Sequence, residues 1–306
     1  MTIRLRIGTR GSPLALAQTT ATRDALAAAH GWSPDALEIV AIKTTGDAIT
    51  DRPLGEAGGK GLFTKELDQA MIDGRIDLAV HSAKDLPTRL PDALCIAGYM
   101  AREDVRDALI SAKAHRIADL PQGGRVGTAS LRRAAQVKRL RPDLETVLLR
   151  GNVETRLRKA ESGELDATLL ALAGLKRLGL AHRATALLPT SEFLPAVGQG
   201  AIAITARADD TAARAAVAKI ACRETELALV AERAFLTVLD GSCRTPIAGF
   251  AQVRDGQLTF AGMVLRIDGS GIFVGSSGGP EGEAREIGAK VGNDILRRLP
   301  AGLLGH

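Results

Sequence analysis

Residues 3–29, IRLRIGTRGSPLALAQTTATRDALAAA, contain one complete step from strand through loop to helix. Ile3, Leu5 and Ile7 alternate with Arg4 and Arg6, the period of two that marks a strand with one apolar face. The loop GTRGS follows, and then a helical stretch in which Ser12 is placed to cap and Pro13 occupies the first helical position. The same step recurs down the chain. IDLAV (76–80) reads as a buried parallel strand followed by HSAKDLP, and RVG (125–127) leads through TAS into the helix LRRAAQVKRL. TVLLR (146–150) leads through GNV into ETRLRKAE, and DATLLALA (166–173) leads into GLKRLGL. Strands alternating with helices predict an α/β fold of βαβ units, mostly parallel sheets, and crevices at the carboxyl ends of the strands.

After residue 220 the character changes. A helix through ETELALVAERAFLTVL precedes the loop Asp240–Pro246 and three apolar runs, PIAGFAQV, QLTFAGMVL and GIFVGSS. Asp255-Gly256 and Asp268-Gly269 separate those runs, which predicts an antiparallel meander closed by a last helix over about 283–298. This is a small α+β domain.

With 306 residues, 45% hydrophobic and 25% charged, the chain has globular composition and room for two or three cores. It contains no apolar run long enough to span a bilayer. Arg4 and Arg6 stand where a secretion signal needs apolar residues, and Cys95, Cys222 and Cys243 form no disulfide framework. Both features point to the cytoplasm. The net charge is +5, and beyond residue 220 the anions slightly outnumber the cations, so the excess lies in the α/β region. Arginine dominates it, which suits carboxylate or phosphate binding but also a codon preference. Aromatics at 3% argue against nucleic-acid binding, which uses stacking platforms.

The loops carry the chemistry. Thr9-Arg10-Gly11-Ser12, Ser82-Ala83-Lys84-Asp85, Thr128-Ala129-Ser130 with Arg132 and Arg133, and Arg150-Gly151-Asn152 with Arg156 each combine hydroxyls, backbone N–H groups and a cation. Placed at helix N-termini, such loops predict a crevice for a ligand with many anionic groups. Independent helix capping is the competing explanation. GEAGGKGLFTKEL (55–67) fails the phosphate-loop pattern, because Leu54 and Gly61 stand where it needs Gly and Ser or Thr. It reads as a glycine hinge or lid that carries Lys60 into a helix begun near Leu62. Scattered histidines and the absence of any Cys-x-x-Cys or His-Glu-x-x-His give no metal site. Asp85, ionised among cations, could pair with a positive intermediate or hold a substrate N–H, or could simply cap a helix. Cys243 beside Arg244 is either a thiolate nucleophile or a buried structural thiol.

Eight motifs in fixed order carry a resemblance: TRGSPLAL (9–16), GGKGLFTKELD (58–68), DLAVHSAKDLP (77–87), VGTASLRR (126–133), LRGNVETRL (149–157), LAGLKRLG (172–179), LPAVGQGA (194–201) and GSCRTPI (241–247). Together they resemble the porphobilinogen deaminase (hydroxymethylbilane synthase) family from about residue 3 to 250, while the final stretch matches only in pattern.

The resemblance implies an enzyme that joins four porphobilinogen units head to tail, releasing ammonia, to give hydroxymethylbilane for porphyrin and heme synthesis. It implies two periplasmic-binding-protein-like lobes with mainly parallel mixed sheets, and a C-terminal domain with an antiparallel three-stranded sheet. The corresponding division is 1–100 plus 199–220, 101–198, and 221–306. It implies a dipyrromethane cofactor on a thioether to Cys243, surrounded by Asp47, Ser82, Lys84, Thr128, Ser130, Arg132 and Arg133. Asp85 corresponds to the catalytic aspartate. Arg10, Ser12, Gln18, Lys60, Phe63, Arg150, Arg156 and Arg177 correspond to the substrate-binding set. A monomer is implied, passing its product to uroporphyrinogen-III synthase, with no nucleic-acid or membrane partner. Three positions depart from the family pattern: Glu56 where Lys is frequent, Ala129 where a second Ser is common, and Arg244 where Gln often follows the cysteine. A non-catalytic two-lobed binding protein for a polycarboxylate is the alternative reading.

Overall fold

The structure is a computed structural model that describes residues 4–48, 61–240, 245–300 and 302–304. Its strands are β1 (Leu5–Arg10), β2 (Leu37–Ile42), β3 (Leu78–Ser82), β4 (Leu94–Tyr99), β5 (Asp107–Ile110), β6 (Arg125–Gly127), β7 (Glu145–Val147), β8 (Ala167–Ala171), β9 (Ala186–Leu187), β10 (Ile202–Arg207), β11 (Ile247–Arg254), β12 (Gln257–Leu265) and β13 (Ile272–Pro280). The helices are α1 (Pro13–His30), α2 (Thr45–Ala48), α3 (Lys65–Ile72), α4 (Leu131–Leu140), α5 (Val153–Glu161), α6 (Leu172–Arg177), α7 (Thr211–Ala218), α8 (Arg223–Val238) and α9 (Ala284–Leu296). The chain divides into two compact units. Among the described residues, the first holds 4–48, 61–103 and 200–226, and the second holds 104–199 and those from 227 onward.

Unit 1 is built on a sheet of order β2-β1-β3-β10-β4. β1 runs parallel to β2 and β3, while β10 runs antiparallel to both β3 and β4. Residues along β3 alternate between two cores, as a doubly covered sheet requires. Leu78 and Val80 pack with Ile7, Leu26 and Ile204 on one side, and Ala79 packs with Leu67, Met71 and Ile76 on the other.

Unit 2 repeats the template with the order β7-β6-β8-β5-β9. β6 is parallel to β7 and β8, and β5 is the antiparallel strand, paired to β8 and β9. Leu109 and Leu169 join one core, while Ala108, Ile110 and Leu170 join the other. Both sheets are therefore mixed, with one antiparallel strand apiece in the fourth position. In each case that strand is the one the chain enters on crossing between units, β5 after Glu103 and β10 after Gln199.

Unit 2 also contains the meander β11-β12-β13. Its first turn is the expected Asp-Gly hairpin: Asp255 and Gly256 have φ of 49° and 74° between the paired residues Arg254 and Gln257. Phe235 of α8 meets Phe260 of β12 edge to face at 5.1 Å.

Several boundaries differ from the sequence reading. The strand expected at 76–80 begins at Leu78; at Asp77 the Arg6 N–H bonds the Asp77 carboxylate instead of a ladder carbonyl, and the Arg6 guanidinium bonds the same carboxylate. The apolar run 166–173 is divided, its strand ending at Ala171 and α6 starting at Leu172; an unbroken apolar run has no period to show that change. The expected strand 146–150 is only Glu145–Val147, and the helix expected near Leu62 starts at Lys65.

Helices α8 and α9 lie so close that a Cβ on Gly288 would fall 1.9 Å from the carbonyl oxygen of Ala231. No side chain of α9 can occupy that position without separating the helices. Gly288→Ala is expected to lower stability by about 2 kcal/mol or more through overpacking, read as a lower urea midpoint. A midpoint equal to that of the wild type would show that the helices can part freely.

Candidate active site

Parallel pairing of β1 and β3 in unit 1 ends both strands on one edge, with Gly8 opposite Ala79. The chain leaves β1 at Arg10 and leaves β3 through a single 3₁₀ turn, Ala83–Asp85. Arg10 Nη1 therefore lies 3.7 Å from Asp85 Oδ2. The Arg10 guanidinium also stacks over the Phe63 ring, 4.1 Å from its centroid. Phe63 is itself seated by Gly46 of α2, where a Cβ would come within 2.4 Å of the ring. Thus one arginine joins three of the sequence-predicted residues, Arg10, Asp85 and Phe63. Asp85 is 32% exposed, and Arg10 is its one ion-pair partner among the described residues, so its carboxylate is open to a ligand.

Beside this pair, Gln18 and Ser82 are joined, with Gln18 Nε2 donating to Ser82 Oγ at 3.0 Å. Gln18 is buried, so it acts on the site by holding Ser82. Ser12 caps α1 by accepting from the Ala15 N–H. Lys84 is exposed on the 3₁₀ turn. That turn differs from the expected helix N-terminus: it is one turn long, and no side chain caps it. Asp47 lies in α2. Lys60 and Cys243, together with the departures Glu56 and Arg244, lie outside the described residues.

His81, which the sequence reading gave no role, is buried on β3 with Nε2 3.1 Å from Thr205 Oγ1. Burial pushes its pKa down to about 4, and the charge of Arg10 acts in the same direction. A neutral imidazole thus lies under the loop that carries Asp85.

In unit 2 the predicted loops are helix caps. Ser130 accepts from the Arg133 N–H to open α4, and Asn152 accepts from Thr155 N–H to open α5. Thr128 Oγ1 in turn accepts from the Ser130 N–H. Arg156 donates from Nε to the Gly151 carbonyl, Arg150 precedes that glycine, and Arg177 ends α6.

Arg132 and Arg133 lie deeper than a surface loop would place them. Both are nearly buried against Asp107 of β5, which is fully buried. Asp107 Oδ2 accepts from Arg132 Nη2 at 2.7 Å, and Oδ1 accepts from Arg133 Nη2 at 2.7 Å and Nε at 3.1 Å. Gln199 Nε2 adds a bond to Oδ1 at 3.1 Å. The two guanidinium groups hold the Asp107 carboxyl far below the usual carboxylate range despite its burial. Arg132 Nε is buried with no hydrogen-bond partner among the described residues. Two guanidinium groups against one carboxylate leave one positive charge, and the donor set fits a polycarboxylate such as a dipyrromethane. The sequence reading missed Asp107 and Gln199. Their signals were a lone acid opening the apolar strand DALI, and the Gln within VGQGA.

The sequence matches two family models: "Porphobilinogen deaminase, dipyromethane cofactor binding domain" over residues 5–215, and "Porphobilinogen deaminase, C-terminal domain" over 227–297. It is 56% identical over 292 residues to the porphobilinogen deaminase of Nitrobacter hamburgensis, covering 95% of this chain and 92% of that protein. The porphobilinogen deaminase of Nitrobacter winogradskyi matches with the same identity and coverage. Among solved structures, a periplasmic substrate-binding protein of an ABC transporter from Coxiella burnetii aligns with a TM-score of 0.46 at 13% identity, covering 72% of this chain and 94% of that one.

The neutral His81 makes a prediction about pH. Its folded pKa lies below the ordinary value of 6.5, so below that value the unfolded chain binds the extra proton and stability falls with pH, down to about 4. The loss over this window is about 3 kcal/mol. Urea midpoints of the wild type and His81→Gln should therefore converge as pH drops from 7 to about 4. A constant difference would mean that folding leaves the pKa of His81 unchanged.

Proposed function

The chain belongs to the porphobilinogen deaminase family, and from that premise we propose how its own side chains divide the work of joining four porphobilinogen units, with loss of ammonia, into hydroxymethylbilane. The observation that carries the proposal is the Arg10–Asp85 pair at the shared edge of β1 and β3. Asp85 accepts the substrate pyrrole N–H and faces the positive charge left on the substrate pyrrole as ammonia departs. A carboxylate fixed beforehand, rather than recruited from solvent, stabilises that charge without reorganisation. Arg10 pairs with Asp85 and carries a charge toward a substrate carboxylate, while Phe63 fixes the guanidinium plane. Ser82, held by Gln18, supplies a hydroxyl, and Lys84 adds a charge near the acid.

The dipyrromethane, when bound, supplies the pyrrole carbon to which the first substrate unit is joined. Cys243 holds it by a thioether; Asp47, Ser82, Lys84, Thr128, Ser130, Arg132 and Arg133 form its polar surroundings. Ser12, Lys60, Arg150, Arg156 and Arg177 receive the acetate and propionate groups of the substrate and the growing chain. Each pyrrole brings two carboxylates, so a lengthening product calls for several cations, and bidentate pairs orient it as well as hold it. We further propose a monomer of three domains (1–100 plus 199–220, 101–198, and 221–306) that works in the cytoplasm and passes its product to uroporphyrinogen-III synthase. Among the described residues no helix is long and apolar enough to cross a membrane.

Intact-mass measurement tests the covalent assignment. The purified protein should exceed its sequence mass by one dipyrromethane, and Cys243→Ser should lose that excess. An active protein of bare sequence mass would refute it. Asp85→Asn should keep the thermal midpoint and lose roughly a hundredfold or more in kcat, the scale of removing a preorganised electrostatic contact. Near-normal turnover would rule out a charge role for Asp85.

A further inference from the structure

The buried cluster in unit 2 holds more than two ligand-binding arginines. Arg132 Nη1 donates to the Leu194 carbonyl at 2.8 Å, and that same carbonyl accepts from Gln136 Nε2 at 3.0 Å. Gln136 Oε1 in turn accepts from the Leu194 N–H at 2.8 Å, so the peptide that braces Arg132 is clamped on both sides. Arg133 commits Nε and Nη2 to one oxygen of Asp107, and Arg132 commits Nη2 to the other. Gln199 donates through the same Nε2 to Asp107 Oδ1 and to the Val105 carbonyl at 2.7 Å, fixing the carboxylate to its own strand entry. Asp107 has no exposed surface, and Arg132 and Arg133 are each 5% exposed. Burial disfavours the charged form of Arg132, Asp107 favours it and Arg133 opposes it, with the balance below the ordinary value.

Burying three charges with one left uncompensated is costly unless a counter-anion completes the set. The buried, unpartnered Arg132 Nε marks where hydrogen-bonding capacity is still open. We propose that Asp107 is a positioning residue for the reaction: its carboxylate locks the planes of Arg132 and Arg133 so that their surplus charge is preset for the carboxylates of the dipyrromethane. This rests on the assignment of those two arginines to the cofactor. Asp107 touches neither cofactor nor substrate in this scheme and acts only through the guanidinium groups. Because the dipyrromethane is covalent, misplacing it should slow turnover while leaving the affinity for incoming porphobilinogen nearly unchanged.

The experiment compares Asp107→Asn, Arg132→Lys, Arg133→Lys and the double variant Asp107→Asn/Arg133→Lys. Intact mass gives the fraction of chains carrying dipyrromethane, and porphobilinogen turnover gives kcat per loaded chain and KM. Asp107→Asn should lower kcat per loaded chain about tenfold or more with KM within about twofold, and the double variant should lose less than the product of the two single losses, because only Arg132 is left for Asp107 to hold. Wild-type kcat in Asp107→Asn, with both lysine variants impaired, would overturn the positioning role alone. Full loading and wild-type kcat in both lysine variants would overturn the cofactor assignment beneath it. Additive losses in the double variant would show that Asp107 acts by some route other than Arg133, and would also overturn the proposal. If Asp107→Asn is not recovered folded, Gln199→Met, which removes one donor to the same carboxylate, carries the test. A loss of about threefold in kcat per loaded chain with unchanged KM is expected, and a wild-type value overturns the proposal.

Discussion

Parallel registry between β1 and β3 is the constraint on which the Arg10–Asp85 edge depends. With Ile7 opposite Leu78 and Gly8 opposite Ala79, both strands finish together and their loops share one edge of the sheet. A shift of one residue would turn every side chain to the opposite face. Gly8 holds the register from beneath, because a Cβ there would lie 2.3 Å from Ile76 Cδ1. The apolar cores on both faces fix where Arg10 and Asp85 can be, and Phe63 and Gly46 fix how the guanidinium is turned. The acid is thus placed by packing rather than by a flexible loop, as the charge role proposed for Asp85 requires.

The two units use charge differently. In unit 1 the pair is partly exposed, at 3.7 Å, and an entering ligand can compete for either partner. In unit 2 the carboxylate is saturated with four donated bonds and buried, so its cations are immobile. Such a cluster is poor evidence for stability, because desolvation offsets most of the Coulomb attraction. Its retention beside apolar residues such as Leu109 and Phe193 makes sense if fixed geometry is the benefit.

The sequence made the repeating strand–loop–helix step legible because its signals are local. Ser12, Ser130 and Asn152 each cap the helix that follows them, and Asp255-Gly256 makes its hairpin. It hid what depends on distant partners. Arg132 and Arg133 read as loop cations, since nothing within one turn of α4 reveals a carboxylate 25 positions earlier on β5. Gln18 looked like a ligand contact, yet its partner is Ser82, 64 residues away and reached only once β3 lies beside α1. The strands β5 and β10 escaped for a related reason. They insert antiparallel into sheets otherwise built from consecutive βα steps, so their pairing is set by the crossings between units.

The chemistry of the fork explains why arginine, and not lysine, fills these positions. Arg132 divides its nitrogens among Asp107, a peptide carbonyl and an uncommitted Nε, and Arg133 spends one edge of its plane on a single carboxylate oxygen. An ammonium would give a point charge with no plane to lock, and its rotation about the last bond would undo the preset direction. The same holds at Arg10, whose flat face rests on Phe63 while its edge meets Asp85. An arginine-rich composition can reflect codon preference across the surface, but at these three positions the contacts demand a planar cation. The excess of +5 is therefore informative only once it is resolved into the few guanidinium groups whose orientation the fold controls.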